Sequence, residues 1–141
     1  MCIIDWNDEA MKQRLISGEE IDFADEHIRA EYSKLEDIKV VPATITFNSK
    51  LVIDCGNITC ECIHLSSAHS DDSVIIYIPE EKVIFIGDIY NDDFYNNHHR
   101  DLKKTEKLYQ ELSRIDFDIA VAGHSKPVRK GDILNFLSKF L

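Results

Sequence analysis

The sequence predicts an α/β domain in which helices pack on a mixed β-sheet. Three observations support this class. Residues 19–39 carry apolar side chains at three- and four-residue steps, the period of an amphipathic helix. Residues 44–86 hold short alternating or apolar runs separated by turn residues, which indicate strands. Residues 101–141 then follow the order helix, strand, helix, which is typical of layered α/β domains.

Two helices are predicted before the sheet. Asn7 or Asp8 can cap the first, which covers residues 9–18. The second is predicted over residues 19–39, where the apolar positions keep a helical spacing. With nine Asp and Glu residues against five Lys and Arg residues, these two segments are acidic, so we expect both helices to be largely solvated.

The predicted strands are short and closely spaced. The runs 74–78 and 83–86 are almost wholly apolar, which predicts strands covered on both faces. The short connection Pro79–Lys82 predicts that these two strands are antiparallel neighbours. The other predicted segments are strands over 44–47, 51–54, 58–64 and 118–122, a polar loop over 91–101, and helices over about 101–115 and 130–141.

Length and composition limit the partners and the compartment. A chain of 141 residues predicts one domain. The net charge of −10 argues against a nucleic acid or an anionic membrane as partner. No apolar run approaches a membrane span, and the N-terminus has no signal-peptide pattern, which predicts a cytoplasmic protein. The four cysteines are predicted to be reduced thiols in or near the core: Cys2, Cys55, Cys60 and Cys62.

Three side chains that can bind a metal follow predicted strands. His69, Asp88 and His124 are each flanked by small residues, which leave room for close backbone packing and for a ligand. Two histidines and one carboxylate form a set that zinc, iron or manganese can use. Each residue also has an ordinary interpretation, because a lone histidine or a Gly-Asp turn after a strand is often structural.

The segments Ser66–Asp88 and Ile119–Pro127 resemble the latter half of metallo-β-lactamase-fold hydrolases. The shared pattern is an Ala-His turn, an apolar hairpin with an acidic tip, a Gly-Asp, and a later Gly-His. The resemblance covers roughly residues 45–141. It implies a partial αβ/βα sandwich, of which this chain supplies the C-terminal part.

The resemblance also implies a role for each candidate ligand. His69 corresponds to a ligand of a first metal, Asp88 to the carboxylate that bridges two metals, and His124 to a ligand of the second. The implied cofactor is zinc, with iron or manganese as alternatives, and up to two ions. The implied activity is hydrolysis of a small-molecule ester, thioester, amide or phosphodiester.

The family's His-x-His-x-Asp-His motif does not occur in this sequence, and His27 stands alone upstream of the matched region. The expectation is therefore a chain that lacks the N-terminal half of the fold. Two protein ligands per metal are fewer than the three of a catalytic zinc site. We expect weak metal binding, little or no hydrolysis, and no catalytic residue that can be assigned. Exposed apolar sheet surface predicts a homo-oligomer.

Four further residues are weaker candidates near the site. Asp72 can orient a ligand histidine through a hydrogen bond or can simply form a turn. Tyr90, His98 and His99 can line the mouth of the site or can be ordinary loop residues.

Three functions stay open from the sequence. The first is a metal-dependent hydrolase whose substrate is unknown. The second is a non-catalytic remnant of the same fold that acts as an oligomerising interaction module. The third is a mononuclear iron protein that uses His69, Asp88 and His124 on one metal.

Overall fold

Helices form the first of two units into which the chain divides, with the boundary after Thr46. A computed structural model describes residues 6–39 and 41–141. The first unit contains helix α1 (Asp8–Ser17) and helix α2 (Asp22–Glu31). The predicted cap of α1 is confirmed, because the Asn7 side chain accepts a hydrogen bond of 2.9 Å from the backbone N–H of Ala10.

The second helix is shorter than predicted. No residue of α2 is buried. Because most helical stability comes from packing of an apolar face, α2 lacks the contacts that would stabilise it beyond Glu31. The next apolar position, Leu35, is buried in a separate 3-10 turn, Leu35–Asp37. The strand predicted over residues 44–47 is also wrong. That segment pairs with no described strand, and an isolated strand leaves its backbone groups unpaired.

The second unit is built on one mixed sheet, as predicted. Its six described strands follow each other across the sheet in chain order. One neighbouring pair, β4 (Val83–Gly87) and β5 (Ile119–Ala122), is parallel, and every other neighbouring pair is antiparallel. The elements are β1 (Lys50–Asp54), β2 (Thr59–His64), β3 (Val74–Ile78), β4 (Val83–Gly87), α3 (Leu102–Arg114), β5 (Ile119–Ala122), β6 (Val128–Arg129) and α4 (Lys130–Ser138).

The core of this unit lies on one face of the sheet. Residues Ile75, Ile84 and Ala120 of three strands are fully buried against side chains of α3 and α4, including Leu112 and Leu137. This side-chain alternation fixes the register, because a slip of one residue would turn the apolar set to the other face.

The opposite face of the sheet remains exposed, so the prediction that β3 and β4 are covered on both faces is wrong. Helices α3 and α4 contribute to the core on the other face. On the exposed face, four apolar side chains are between 40% and 45% accessible to solvent. We call this surface the open face and define it by Ile53, Val74, Ile76 and Phe85. The strand register places these side chains on the same side of the sheet.

Two other predictions concern the cysteines and the membrane. Cys55 is exposed, while Cys60 and Cys62 are half-buried, so the described cysteines lie outside the fully buried core. Among the described residues, no helix has the length and apolar character that a bilayer crossing requires.

The N-terminus of α3 makes stability depend on pH. The Asp101 carboxylate accepts a hydrogen bond of 3.1 Å from the backbone N–H of Lys104, and this bond holds the pKa of Asp101 below its usual range. A carboxyl with a lowered folded-state pKa stabilises the fold above its unfolded pKa, and the contribution is lost as pH falls through the folded value.

Asp101→Asn is expected to remove this pH dependence while keeping a capping oxygen. Below about pH 4, the wild type should lose stability that the variant keeps, because the side chain at position 101 takes up a proton only in the wild type. Urea unfolding midpoints of both proteins between pH 6 and pH 3 measure the effect. Parallel midpoint profiles for the two proteins would contradict it.

Candidate metal centre

The parallel pair of strands brings Asp88 and His124 together. Gly87 at the end of β4 is aligned with Ala122 at the end of β5, and the backbone N–H of Gly123 donates to the carbonyl of Gly87 at 3.1 Å. Each strand is therefore followed at the same sheet edge by one candidate ligand. The Nε2 atom of His124 lies 3.1 Å from Oδ2 of Asp88.

Glycines make this approach possible. Gly87 has a φ of +49°, in the left-handed region that favours glycine, and this turn directs the chain into Asp88. A Cβ atom at position 123 would lie 3.0 Å from Oδ1 of Asp88, so any larger residue would press on the carboxylate. Glycine is therefore favoured before Asp88 by the backbone conformation and before His124 by the close approach of the carboxylate.

The Asp88 carboxylate has an unsatisfied oxygen. Oδ1 is buried and has no hydrogen-bond partner among the described residues. A buried carboxylate oxygen in this state carries a desolvation cost that a bound cation would offset. The neighbouring His124 is 83% exposed and offers an imidazole nitrogen. A carboxylate beside an imidazole is a donor pair that zinc accepts, so these two residues fit part of a metal site.

His69 is held by a different set of contacts. Its backbone N–H donates to the Ser67 hydroxyl at 2.9 Å, and that buried hydroxyl donates to the carbonyl of Ile89 at 2.7 Å. Its ring Nδ1 donates to the carbonyl of Asp92 at 2.9 Å. A carbonyl can only accept, so in the neutral ring Nδ1 carries the hydrogen and the lone pair is on Nε2, as in many metal-binding histidines.

The structure does not join His69 to the other two candidates. Within the described parts of the chain, no group of three or more His, Cys, Asp or Glu side chains is arranged to hold a metal ion. His69, Asp88 and His124 therefore do not form the single-metal arrangement that the iron hypothesis requires. The assignment of the three residues as ligands stays a prediction.

The weaker candidates have local partners. The Asp72 carboxylate accepts a hydrogen bond from the Ser70 hydroxyl in the turn after His69. The Tyr90 ring packs edge-to-face on Phe136, with centroids 5.7 Å apart. These contacts fit structural roles in the loops.

The two loop histidines differ from each other. The Nδ1 atom of His98 lies 3.3 Å from Oδ1 of Asp92, whose carbonyl holds His69. His99 is exposed and forms an isolated bridge with Asp93 through its backbone. The structure therefore connects His98, but not His99, to the surroundings of His69.

Ser67 and Asp92 are not among the candidates predicted from the sequence, although both hold His69. The Ser67 hydroxyl links the His69 turn to the segment after Asp88. The signal was a pair of serines directly before the Ala-His turn. Asp92 holds His69 through its backbone carbonyl, which no side-chain pattern in a sequence can reveal.

Comparison with known proteins gives a match in structure but none in sequence. No model of a protein family matches the sequence, and no curated protein matches it. A metallo-β-lactamase from Pontibacter korlensis is similar in structure at a TM-score of 0.53 and 22% identity. The DIM-1 metallo-β-lactamase is similar at a TM-score of 0.56 and 21% identity. In both cases the match covers 81% of this chain and 53% of the other.

A third similar structure is a chemotaxis sensor, ODP, described as a peroxy diiron species. It matches at a TM-score of 0.51 and 16% identity, over 64% of this chain and 48% of the sensor. The present chain spans about half the length of these proteins.

These similarities show the fold. The chain has the C-terminal portion of a metallo-β-lactamase fold, with a mixed six-stranded sheet and helices, as predicted. Identities below 25% carry no information about which reaction or which metal belongs to this chain.

Proposed function

We propose that this chain carries part of the metal site of a metallo-β-lactamase-fold hydrolase, with Asp88 and His124 as its metal-binding pair. The observation that carries the proposal is the contact of 3.1 Å between these side chains beside a buried carboxylate oxygen that has no hydrogen-bond partner. The pair lies at the edge where two parallel strands end, and the sheet holds both residues in place.

The hydrogen bonding of His69 supports its assignment as a further ligand. The bond from Nδ1 to the Asp92 carbonyl leaves Nε2 free to donate its lone pair. A zinc ion bound by these residues would supply Lewis-acid chemistry to a small ester, thioester, amide or phosphodiester. The residues of this chain would orient the ion, because Ser67 and Asp92 fix one histidine and the absence of a side chain at Gly123 leaves room for the carboxylate.

Weak binding and low activity are part of the proposal. The sequence has no His-x-His-x-Asp-His motif, and Asp88 and His124 provide fewer donors than a catalytic zinc site needs. We therefore propose that this chain alone binds zinc weakly and hydrolyses little.

Loss of either residue of the pair is expected to weaken zinc binding. Asp88→Asn and His124→Gln should each raise the zinc dissociation constant by at least about 10-fold, because each removes a direct donor. Calorimetric titration of the full chain with Zn²⁺ measures this change. Cobalt absorption spectra provide a second readout, because Co²⁺ reports its own ligand geometry.

His27→Gln is the matched control for this experiment. His27 is an exposed histidine of α2 that contacts the carbonyl of Phe23, and its replacement should leave the dissociation constant unchanged. Equal zinc affinity in the wild type, Asp88→Asn and His124→Gln proteins would overturn the pair as a metal site. Tight stoichiometric zinc together with turnover of a generic phosphodiester would overturn the claim of weak binding and low activity.

A second function, self-association, is supported by the open face. Ile53, Val74, Ile76 and Phe85 expose apolar side chains on one side of a sheet whose other side is packed by helices. An apolar surface of this kind favours a partner over water. We propose that a second copy of this chain covers the open face, so that the fold half serves as an oligomerising module.

A further inference from the structure

Three cysteine thiols lie at the hairpin that joins β1 to β2. Cys60 and Cys62 are two residues apart on β2, so both side chains point toward the open face. Cys55 directly follows the last residue of β1. The sulfur atoms of Cys55 and Cys60 lie 3.8 Å apart, in the range of a hydrogen bond between thiols. Cys55 is exposed and Cys60 is half-buried, so reagents in solution can reach the pair.

The backbone around Cys55 is less constrained than the backbone around Cys60. A disulfide has a sulfur–sulfur distance of about 2.05 Å, so the atoms must approach by about 1.8 Å. Cys60 is held in the ladder opposite Ile53, whereas Cys55 lies beyond the last paired residues and keeps one backbone hydrogen bond to Ile58. Gly56 follows with a φ of +97°. Formation of the bond would require rotation of the Cys55 side chain and a small shift of this glycine turn, whose backbone is outside the ladder.

The surroundings give the two thiols different roles. The hydrogen bond with Cys55 raises the pKa of Cys60, and burial and the nearby Cys62 and Glu80 raise it further. The raised pKa disfavours the Cys60 thiolate, and the thiolate is the attacking form in exchange. Cys55 is the more exposed of the two thiols and is therefore the one that a disulfide in solution meets first. Once Cys55 is in a mixed disulfide, its hydrogen bond no longer holds the Cys60 proton.

We propose that Cys55 and Cys60 form a reversible dithiol–disulfide pair that exchanges with low-molecular-weight disulfides such as oxidised glutathione. First, the Cys55 thiolate attacks one glutathione sulfur, forms a mixed disulfide and releases one glutathione thiolate. Cys60 then loses its proton to water, attacks the Cys55 sulfur and releases the second glutathione. The protein loses two electrons and two thiol protons, and one glutathione disulfide becomes two glutathione molecules. Reduced glutathione reverses both steps.

A glutathione titration of the full chain tests this pair. The protein is equilibrated at a series of reduced-to-oxidised glutathione ratios, quenched with acid, unfolded and alkylated with a maleimide before mass measurement. Of the four cysteines in the sequence, two should become unreactive together, with the loss of two hydrogen masses and no glutathione attached. Cleavage after Glu61 separates Cys62 from the pair, so the missing hydrogens should map to the peptide with Cys55 and Cys60.

Cys62→Ser is the matched control, because Cys62 is a half-buried thiol on the same strand and face. This variant should keep the two-hydrogen loss, Cys55→Ser should abolish it, and Cys60→Ser should accumulate a glutathione adduct on Cys55. The proposal is overturned if the wild type shows only glutathione adducts, no oxidation at any ratio, or a link between Cys60 and Cys62. The wild-type mapping decides the question even where a variant folds poorly.

Discussion

Leu112→Ala is expected to lower the free energy of unfolding of the second unit by about 2–5 kcal/mol, because it removes a fully buried side chain and leaves a cavity. Leu112 lies on the inner side of α3 and belongs to the core that covers the sheet. Urea unfolding followed by circular dichroism measures the change. The substitution should also weaken the support of the Asp88–His124 contact, since the same core packs against β4 and β5.

Leu102→Ala provides the matched control for this substitution. Leu102 lies on the same helix and is 58% exposed, so the same replacement removes little buried surface. Its unfolding free energy should stay within about 0.5 kcal/mol of the wild type. Equal destabilisation by the two alanine variants would contradict the described burial of α3.

Phe85→Lys is expected to disrupt self-association through the open face. In an assembly of two copies, the new ammonium groups would be buried in apolar surroundings without a partner, and this cost is large. The dissociation constant of the assembly should rise by about 100-fold or more. Light scattering and sedimentation of the full chain at micromolar concentration measure it. Phe85 lies on the central strand β4 and is one of the large exposed apolar residues of the open face.

Leu102→Lys makes the same chemical change away from the open face. Leu102 lies on α3, a helix that packs on the other face of the sheet, and the substitution should leave the assembly intact. A wild-type chain that is monomeric at micromolar concentration would refute the association. Equal dissociation of both lysine variants would show that added charge, and not the open face, controls assembly.

Much of the second unit could be predicted because its local signals agree with its packing. Val74–Ile78 and Val83–Gly87 are strong β-formers separated by a proline turn, and they form the antiparallel pair predicted for them. The helix predicted over about residues 101–115 forms as α3, and Asp101 caps it by accepting the backbone N–H of Lys104. In these places propensity, turn chemistry and tertiary contacts all favour the same structure.

The failed predictions share one physical cause. An apolar run such as Val74–Ile78 shows that a strand is hydrophobic, but it does not show whether both faces are covered. Residues 44–47 have strand propensity, but a strand needs a partner with free backbone groups. In each case the deciding contact is made by residues distant in the sequence.

The candidate site could be predicted only in part, because some of its contacts also join residues that are distant in the sequence. Asp88 and His124 were identifiable because glycines precede them and strands end just before them, and the structure places them in contact. The hydrogen bond between the Asp92 carbonyl and His69 could not be predicted, because a backbone acceptor does not depend on residue type.

The strand order has a consequence for the lifetime of the site. Strands β1 to β4 pair with their nearest neighbours in the chain, whereas the pairing of β4 with β5 closes a connection that includes the whole of α3. Asp88 and His124 stand on the two sides of that closure. A partial opening that releases β5 would separate the two side chains while the four-stranded meander stayed folded. Integrity of the Asp88–His124 contact is therefore a stricter condition than integrity of the meander formed by β1 to β4.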